Sequence, residues 1–260
     1  MQLLIIDALN LIRRLHAVQT QRHQHEATAL AATGAALTNA ANRLLNQFRP
    51  SHVLAVFDGA PVGFRHHLYP EYKAGRKPMP EALANYLGEL QQLLWQQGID
   101  ALLSDTDEAD DLIATLASTL SRHGKSSIIV STDQGFCQLL TPHIRLWDHF
   151  NQRWLDEEFV QQHYGLKVEQ LVDYWALTGV SGSQIKGVPG IGPKRAKALL
   201  KQYNTLDQLL ATPPQLKDEN TVHAHQHHAL LSRQLVKLVD DIELGFNLQD
   251  LRYPHPTKGS

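Results

Sequence analysis

Cysteine is almost missing: among 260 residues only Cys137 carries a thiol. No intramolecular disulfide can form, which fits a reducing compartment and leads to the expectation of a cytoplasmic protein. No run approaches the roughly 18 apolar residues that a membrane span needs, so no membrane partner is expected. The opening MQLLIIDALNLIRRLH is broken early by Asp7 and Asn10, and no small-residue cleavage site follows, which argues against a signal peptide. There is no low-complexity linker and no convincing internal repeat. Neither sign of charge dominates, since 24 Lys and Arg meet 26 Asp and Glu for a net charge of −2. That total argues against a uniformly basic nucleic-acid binder, but not against separate acidic and basic sites.

The chain does have ample core. Its hydrophobic fraction of 43 % disfavours disorder. Short apolar runs at 3–6, 52–57 and 126–131 read as buried strands, with a fourth strand at 144–147. Helical patterns occupy 28–48, 80–97 and 109–121. From about 156 onward no convincing strand is seen, and helices are expected at 157–164, 168–178, 193–203 and 226–243. The best loop candidate is 208–220. Alternation followed by helices predicts an α/β fold: a parallel-sheet core over 1–165, a helical region over 166–250 and a loose tail at 251–260. The four tryptophans are expected to be buried or half-buried, and Cys137 to be buried and inert. Nothing signals an oligomer interface, so a monomer is expected.

Each of the three clear strands ends at, or just before, an aspartate: Asp7, Asp58 and Asp133. In open α/β sheets that edge is where ligands bind. The stretch SDTDEADDLIATLA (104–117) adds five acids, Asp105, Asp107, Glu108, Asp110 and Asp111, at the mouth of a helix. Each acid taken singly reads as a turn or capping residue. Taken together they repel, because two unit charges about 4 Å apart cost roughly 4 kcal/mol at an effective dielectric near 20. Protonation or a divalent cation would relieve that. All-oxygen ligation suits Mg²⁺ or Mn²⁺ rather than zinc.

Bases gather elsewhere. Lys186, Lys194, Arg195, Lys197 and Lys201 lie between 184 and 206 with no acid among them, around the glycine-rich GVPGIG (187–192). Such a hairpin opening a helix, with Pro193 in its first turn, offers backbone amides to a phosphate. Ordinary exposed lysines are the alternative. The segment 61–79 carries Arg65, Lys73, Arg76, Lys77 and two histidines against Glu71 alone, and taken by itself reads as a solvated loop. HAHQHH (223–228) reads as a solvated helix start, because no second His or Cys group completes a metal site.

Four stretches, FDGAPVGFRHHLYPEYKAGRKPMPEAL, EADDLIATLA, STDQGFCQLL and VDYWALTGVSGSQIKGVPGIGPKRAKALL, occur in this order from about residue 57 to residue 200. They resemble the 5′→3′ exonuclease and flap endonuclease family, with weaker similarity in LLSRQLVKLVDDIEL (230–244). The resemblance implies a PIN-like 5′-nuclease core with a helix–hairpin–helix element, and a Mg²⁺-dependent phosphodiesterase acting on DNA with 5′ flaps or junctions. By motif, Asp7, Asp58, Glu108, Asp110, Asp111 and Asp133 would form a metal cluster, some binding directly and others through water. Lys73 and Arg76 would steer the scissile phosphate and stabilise its charge. Arg65, Gly190, Ile191, Gly192, Pro193, Lys194 and Arg195 would contact DNA. Backbone carbonyls of Leu177, Thr178, Lys186, Val188 and Ile191 would hold a K⁺ ion.

The chain also departs from the family. STDQGF has Gly135 where a second aspartate belongs, and GVSGS has Val180 and Ser183 in place of two more acids. All three belong to the family's second metal cluster, a loss shared by some stand-alone bacterial members. A working nuclease is expected, and a branched-DNA binder that has lost its activity is the alternative. A Mg²⁺ phosphatase on small molecules fits less well, because the first strand is followed by DALN rather than a D-x-D nucleophile.

Overall fold

The computed structural model describes residues 1–59, 62–246 and 251–253. Six strands form one sheet in the order β3-β2-β1-β4-β5-β6: β1 Gln2–Asp7, β2 His52–Phe57, β3 Asp100–Leu103, β4 Ser126–Val130, β5 Ile144–Asp148 and β6 Arg153–Trp154. β1 to β5 run parallel and β6 returns antiparallel to β5. β1, β2 and β4 bury all but their first residue, which is why they read as continuous apolar runs.

The helices of the first part are α1 Ala8–Arg22, α2 Glu26–Phe48, α3 Phe64–Leu68, α4 Glu81–Asn85, α5 Leu87–Trp95, α6 Ala109–Arg122 and α7 Glu157–Tyr164. Those of the second part are α8 Leu171–Thr178, α9 Pro193–Tyr203, α10 Leu206–Ala211, α11 Lys217–Ala224 and α12 Gln226–Val236. One face of the sheet (Leu4, Ile6, Val53, Ala55) packs on Leu11, Ile12, Leu37 and Leu44 of α1 and α2. The other (Leu3, Ile5, Leu54, Val56) packs on Leu112, Ile113, Leu116 and Leu120 of α6 and runs on into the helical part.

Several expectations need correction. α1 was not foreseen: its outer face is polar, but Asp7 caps it directly from β1 by accepting from the Asn10 amide. β3 escaped notice because it is an exposed edge strand of four residues. The helix expected over 80–97 breaks at Tyr86 into α4 and α5. The expected loop at 208–220 contains most of α10 and the start of α11. The last helix stops at Val236 instead of 243, and an extended strap follows. The tail is not loose throughout: Leu251 is buried, Arg252 bridges His52, and the Tyr253 amide donates to the Ser51 carbonyl. Residues 254–260 lie outside the described residues. Trp95 is 70 % exposed, against expectation, whereas Cys137 is buried, and burial pushes its thiol up to about 12. Among the described residues no helix is long and apolar enough to cross a membrane.

Candidate active site

A cavity of about 330 Å³ opens between the carboxyl edge of the sheet and the helical part. Asp110 and Asp133 line it from one side, Lys73 and Arg76 from another.

Asp7, at the end of β1, is only 7 % exposed. Its Oδ1 accepts from the Asn10 amide at 3.2 Å and its Oδ2 from the Ser131 hydroxyl at 2.7 Å. Burial raises its pKa from 3.8 to about 6; those two hydrogen bonds oppose the rise, and the Asp133 and Asp58 charges add to it. Asp110 is pushed up to about 7, first by burial, then by Asp133, Asp7 and Glu108, with Lys73 opposing. Because 29 % of its side chain is exposed, water in the cavity moderates that rise. Asp133 caps the 3₁₀ turn Gln134–Leu139 by accepting from the Gly135 amide at 2.7 Å. Asp58 accepts from the Ala109 amide at 3.3 Å, which ties the end of β2 to the start of α6.

Glu108 and Asp111 behave differently. Arg65 Nη1 and Nη2 grip the two Asp111 oxygens at 2.6 and 2.8 Å, and Nη1 reaches Glu108 Oε1 at 3.1 Å. The other Glu108 oxygen accepts from Lys73 Nζ at 2.5 Å and from the Tyr72 hydroxyl at 3.1 Å. Burial pushes the Glu108 pKa up, but Lys73 and Arg65 outweigh it and the net shift is downward. Asp111 Oδ1 also accepts from the Val239 amide at 2.9 Å. Asp111, 2 % exposed, and Glu108, 4 % exposed, therefore have all their oxygens engaged by Arg65, Lys73, Tyr72 and the Val239 amide, which departs from the expectation that either binds a metal directly.

Arg65 calls for a second correction. It was expected at a DNA surface, yet it is 1 % exposed. Besides its two carboxylates it donates to the carbonyls of Leu235 and Lys237 at 2.8 and 2.9 Å. It joins α3, α6 and the strap after α12, and no donor is left for DNA.

Do the carboxylates suit a divalent ion? Their chemistry does: the donors are hard oxygens, Asp110 has Lys73 3.6 Å away, and among the described residues Asp7 is raised by burial and by the neighbouring Asp133 and Asp58 charges. As placed, no three His, Cys, Asp or Glu among the described residues close on a single point. Mg²⁺ does not require that, since it keeps several waters and takes one or two carboxylates plus a substrate phosphate. Asp110 and Asp133, with Asp7 behind them, meet that need.

The segment around Lys73 docks on the helical part. Lys73 adopts φ +56°, and its amide donates to the Ser183 carbonyl at 3.0 Å. Arg76 Nε reaches the Gly182 carbonyl and its Nη2 the Ser183 hydroxyl, each at 3.3 Å. Gly135, Val180 and Ser183, the three positions that lack an acid, all line the same cavity.

The glycine hairpin lies on the same part of the chain. Gly187, at φ +66°, passes so close to α8 that a Cβ there would sit 2.3 Å from the Gly179 nitrogen and 2.6 Å from the Leu177 carbonyl. Gly190, at φ +81°, has open space around it. No side chain caps the start of α9. Lys194 and Arg195 are exposed, and Arg195 donates to the Gly190 carbonyl at 2.8 Å. Ile191 is 3 % exposed, so only its backbone could meet a ligand. The Leu177 and Val188 carbonyls each accept one hairpin amide, at 2.9 and 3.0 Å. Among the described residues those of Thr178, Lys186 and Ile191 accept none.

The reading from sequence missed Ser131, Asn10, Tyr72 as a partner of Glu108, and Gln138, whose amide spans the Gly135 and Val236 carbonyls and the Leu238 amide. Ser131 and Asn10 had a signal: both are polar residues just beyond buried strands, on the edge that carries Asp7 and Asp133.

Residues 2–165 match the family model described as 5′-3′ exonuclease, N-terminal resolvase-like domain. Residues 166–259 match 5′-3′ exonuclease, C-terminal SAM fold. A protein named flap endonuclease Xni from Aeromonas hydrophila subsp. hydrophila is 57 % identical over 255 residues, covering 97 % of this chain and 96 % of its own. A protein of the same name from Vibrio vulnificus is 48 % identical over 254 residues, 96 % of each chain. Among solved structures, the T5 5′-exonuclease with bound divalent zinc superposes with a TM-score of 0.78 at 21 % identity, covering 92 % of this chain and 90 % of that one. At that identity the likeness speaks for the fold.

Proposed function

The chain belongs to the 5′-3′ exonuclease family, and from that membership we propose that it is a metal-dependent, structure-specific 5′ nuclease, a flap endonuclease that hydrolyses phosphodiester bonds in branched or 5′-flap DNA in replication or repair. The relatives carry the name flap endonuclease. The observation that supports the chemistry best is the cavity in which Asp110 and Asp133, with Asp7 behind, face Lys73 and Arg76.

Of the six expected acids, Asp7, Asp58, Asp110 and Asp133 would hold Mg²⁺ or Mn²⁺, while Glu108 and Asp111, paired with Arg65 and Lys73, would act through water or through those partners. A bound divalent ion supplies positive charge on the phosphate and lowers the pKa of a bound water. Ser131 and Asn10 fix the two oxygens of Asp7, as outer partners orient ligands elsewhere. Lys73 and Arg76 sit where a phosphate entering the cavity would meet them. Glu108, itself held by the Tyr72 hydroxyl, aims Lys73, and the Ser183 carbonyl fixes its backbone. Gly190, Gly192, Lys194 and Arg195 would take duplex phosphates without reading bases. A K⁺ ion at the carbonyls of Leu177, Thr178, Lys186, Val188 and Ile191 would bridge this hairpin to the DNA. In this reading the protein acts as a monomer in the cytoplasm, with Cys137 kept as a buried thiol.

A DNA binder without activity is the second reading, and the neutral Gly135, Val180 and Ser183 favour it. Against it stands the placement of Asp110 and Asp133 in the same cavity as Lys73 and Arg76: a binder has no use for acids where a phosphate would lie, whereas a metal-dependent catalyst does. The test is cleavage of a 5′-flap duplex in Mg²⁺ by wild type and by Asp110→Ala. Cleavage by the first, with loss in the second, is expected; equal rates would sink the assignment.

A further inference from the structure

Outside the cavity, a second contact joins the basic segment to the helical part. Lys186 Nζ lies 2.7 Å from Glu71 Oε2, and the Tyr69 hydroxyl donates to the same oxygen at 3.0 Å. Neither Glu71 nor Lys186 lines the cavity. Lys186 draws the Glu71 pKa below its ordinary value, and Tyr69 adds to the effect. The two side chains are 59 % and 67 % exposed, so the pair contributes little to stability. Its surroundings are nonetheless closely built. Glu71 and Lys73 belong to one tight run of turns: the Tyr72 amide donates to the Tyr69 carbonyl, Ala74 to Glu71 and Arg76 to Lys73, at 2.9, 3.1 and 2.9 Å. Tyr69 and Val180 pack on a small apolar group of Tyr72, Ile185 and Leu235. Lys73 and Gln184, one on each side of the junction, hold φ of +56° and +59°, and a Cβ at Gly75 would meet Gln184 Nε2 at 2.7 Å. Left-handed backbone at residues other than glycine costs energy and persists only where neighbours impose it.

We propose that Glu71 and Lys186 are positioning residues that set the distance between the hairpin's grip on duplex DNA and the phosphate that is cut. The inference rests on the nuclease reading above and deepens it. Lys186 directly precedes Gly187, which passes so close to Gly179 and Leu177 that the base of the hairpin is tightly packed. Through Glu71 that base reaches the turns that carry Lys73 and Arg76. The Ser183 carbonyl and hydroxyl hold the same turns at another point. A segment pinned at Ser183 alone could pivot there; the Glu71 contact removes the pivot. An exposed pair adds little to stability, yet this one closes a strained junction, which suits it to fixing a geometry rather than to holding the fold. A shift of about 1 Å at a reacting group costs roughly 10²-fold in rate, so a weak contact can decide how fast the bond is cut and which bond it is. Direct contact between Lys186 and a DNA phosphate is the competing use of that side chain, and the test separates the two.

The test compares wild type, Glu71→Gln, Glu71→Lys and Glu71→Lys/Lys186→Glu on one 5′-flap duplex labelled at its 5′ end. Single-turnover cleavage in Mg²⁺ at saturating protein is expected to slow about fivefold in Glu71→Gln, the upper range for an exposed pair, and further in Glu71→Lys, with cuts spread to neighbouring phosphodiester bonds. Flap affinity in Ca²⁺ should change less than about twofold in Glu71→Gln. The double variant restores the pair with its signs exchanged and should recover the wild-type rate and cut pattern. An unchanged rate and pattern in Glu71→Gln would overturn the proposal. So would a double variant that recovers neither, which would return Lys186 to the DNA surface. A parallel measurement needs no cleavage: the amides of 69–76 should exchange hydrogen more slowly when flap DNA binds in Ca²⁺. That slowing should be lost in Glu71→Gln, with the variant folded by circular dichroism. Equal slowing in both proteins, or none in either, would likewise overturn it. An intact flap left uncleaved by wild type in Mg²⁺ would overturn the nuclease reading instead, and hydrogen exchange would still decide the link.

Discussion

The carboxylates at the edge of the sheet divide into two groups that share a chemistry and differ in company. Glu108 and Asp111 are buried beside Arg65 and Lys73, and their oxygens are all engaged. Asp7 and Asp110 are held among other acids, with Asp133 nearby, and Lys73 Nζ stands 3.6 Å from Asp110 as their nearest cation. Glu108 and Asp111 hold the architecture. Asp7 and Asp110 store electrostatic repulsion that a divalent ion would release. Burial alone therefore does not separate the two groups; the partner does.

The sharpest way to break this comparison is to neutralise one member of each group. Asp110→Asn should lower flap cleavage by roughly 10²–10³-fold or more, the scale for losing a charge-stabilising group. It should also raise the melting temperature of the metal-free protein at pH 8, since it removes a buried repulsion. A fall in both would place Asp110 with the struts. Arg65→Met should act in the opposite sense. It strands two buried carboxylates, and breaking such a pair costs about 3–5 kcal/mol, so thermal denaturation should shift down strongly. A small shift would mean that the Arg65 contacts carry little.

The pH dependence separates the two groups without mutation. The Asp7 and Asp110 pKa values are raised in the fold to about 6 and about 7 from 3.8. Between roughly pH 4 and 7 the folded state therefore binds more protons than the unfolded one, and stability falls as pH rises. The Glu108 pKa is lowered, so its stabilisation is present above its ordinary value and is lost as pH falls through the lowered one. Metal-free protein should therefore melt highest near pH 5, lower at pH 8 and lower again below pH 4. Mg²⁺ should restore stability at pH 8 and do little at pH 5, because its ligands must be deprotonated. A flat profile from pH 5 to pH 8 would contradict the repulsion.

The smallest effect belongs to the hairpin. Lys194→Ala should weaken flap binding a few-fold on any sequence and reduce the slope of log affinity against log salt by about 0.9, one phosphate contact. An unchanged slope would remove Lys194 from the DNA surface.

The sheet edge was legible because β1, β2 and β4 are uninterrupted apolar runs that stop at, or just before, Asp7, Asp58 and Asp133. The acidic mouth of α6 was legible because five acids within seven residues demand an explanation. The allocation of partners was not. Arg65 reaches Asp111 across 46 residues and the Leu235 carbonyl across 170, and no local pattern encodes such pairings. A basic residue in a basic segment looked like a DNA contact and proved to be a buried clamp. β3 and α1 were missed for a simpler reason: an exposed edge strand and a helix with a polar outer face show weak periodicity.

Calorimetric titration of Mg²⁺ into folded Asp110→Asn and Asp111→Asn at pH 8 tests the division most directly. Asp110→Asn should show no measurable Mg²⁺ binding. Asp111→Asn should bind Mg²⁺ weakened by no more than the 10–100-fold typical of a supporting residue, with a lower melting temperature. Binding retained by Asp110→Asn and abolished in Asp111→Asn would contradict the division.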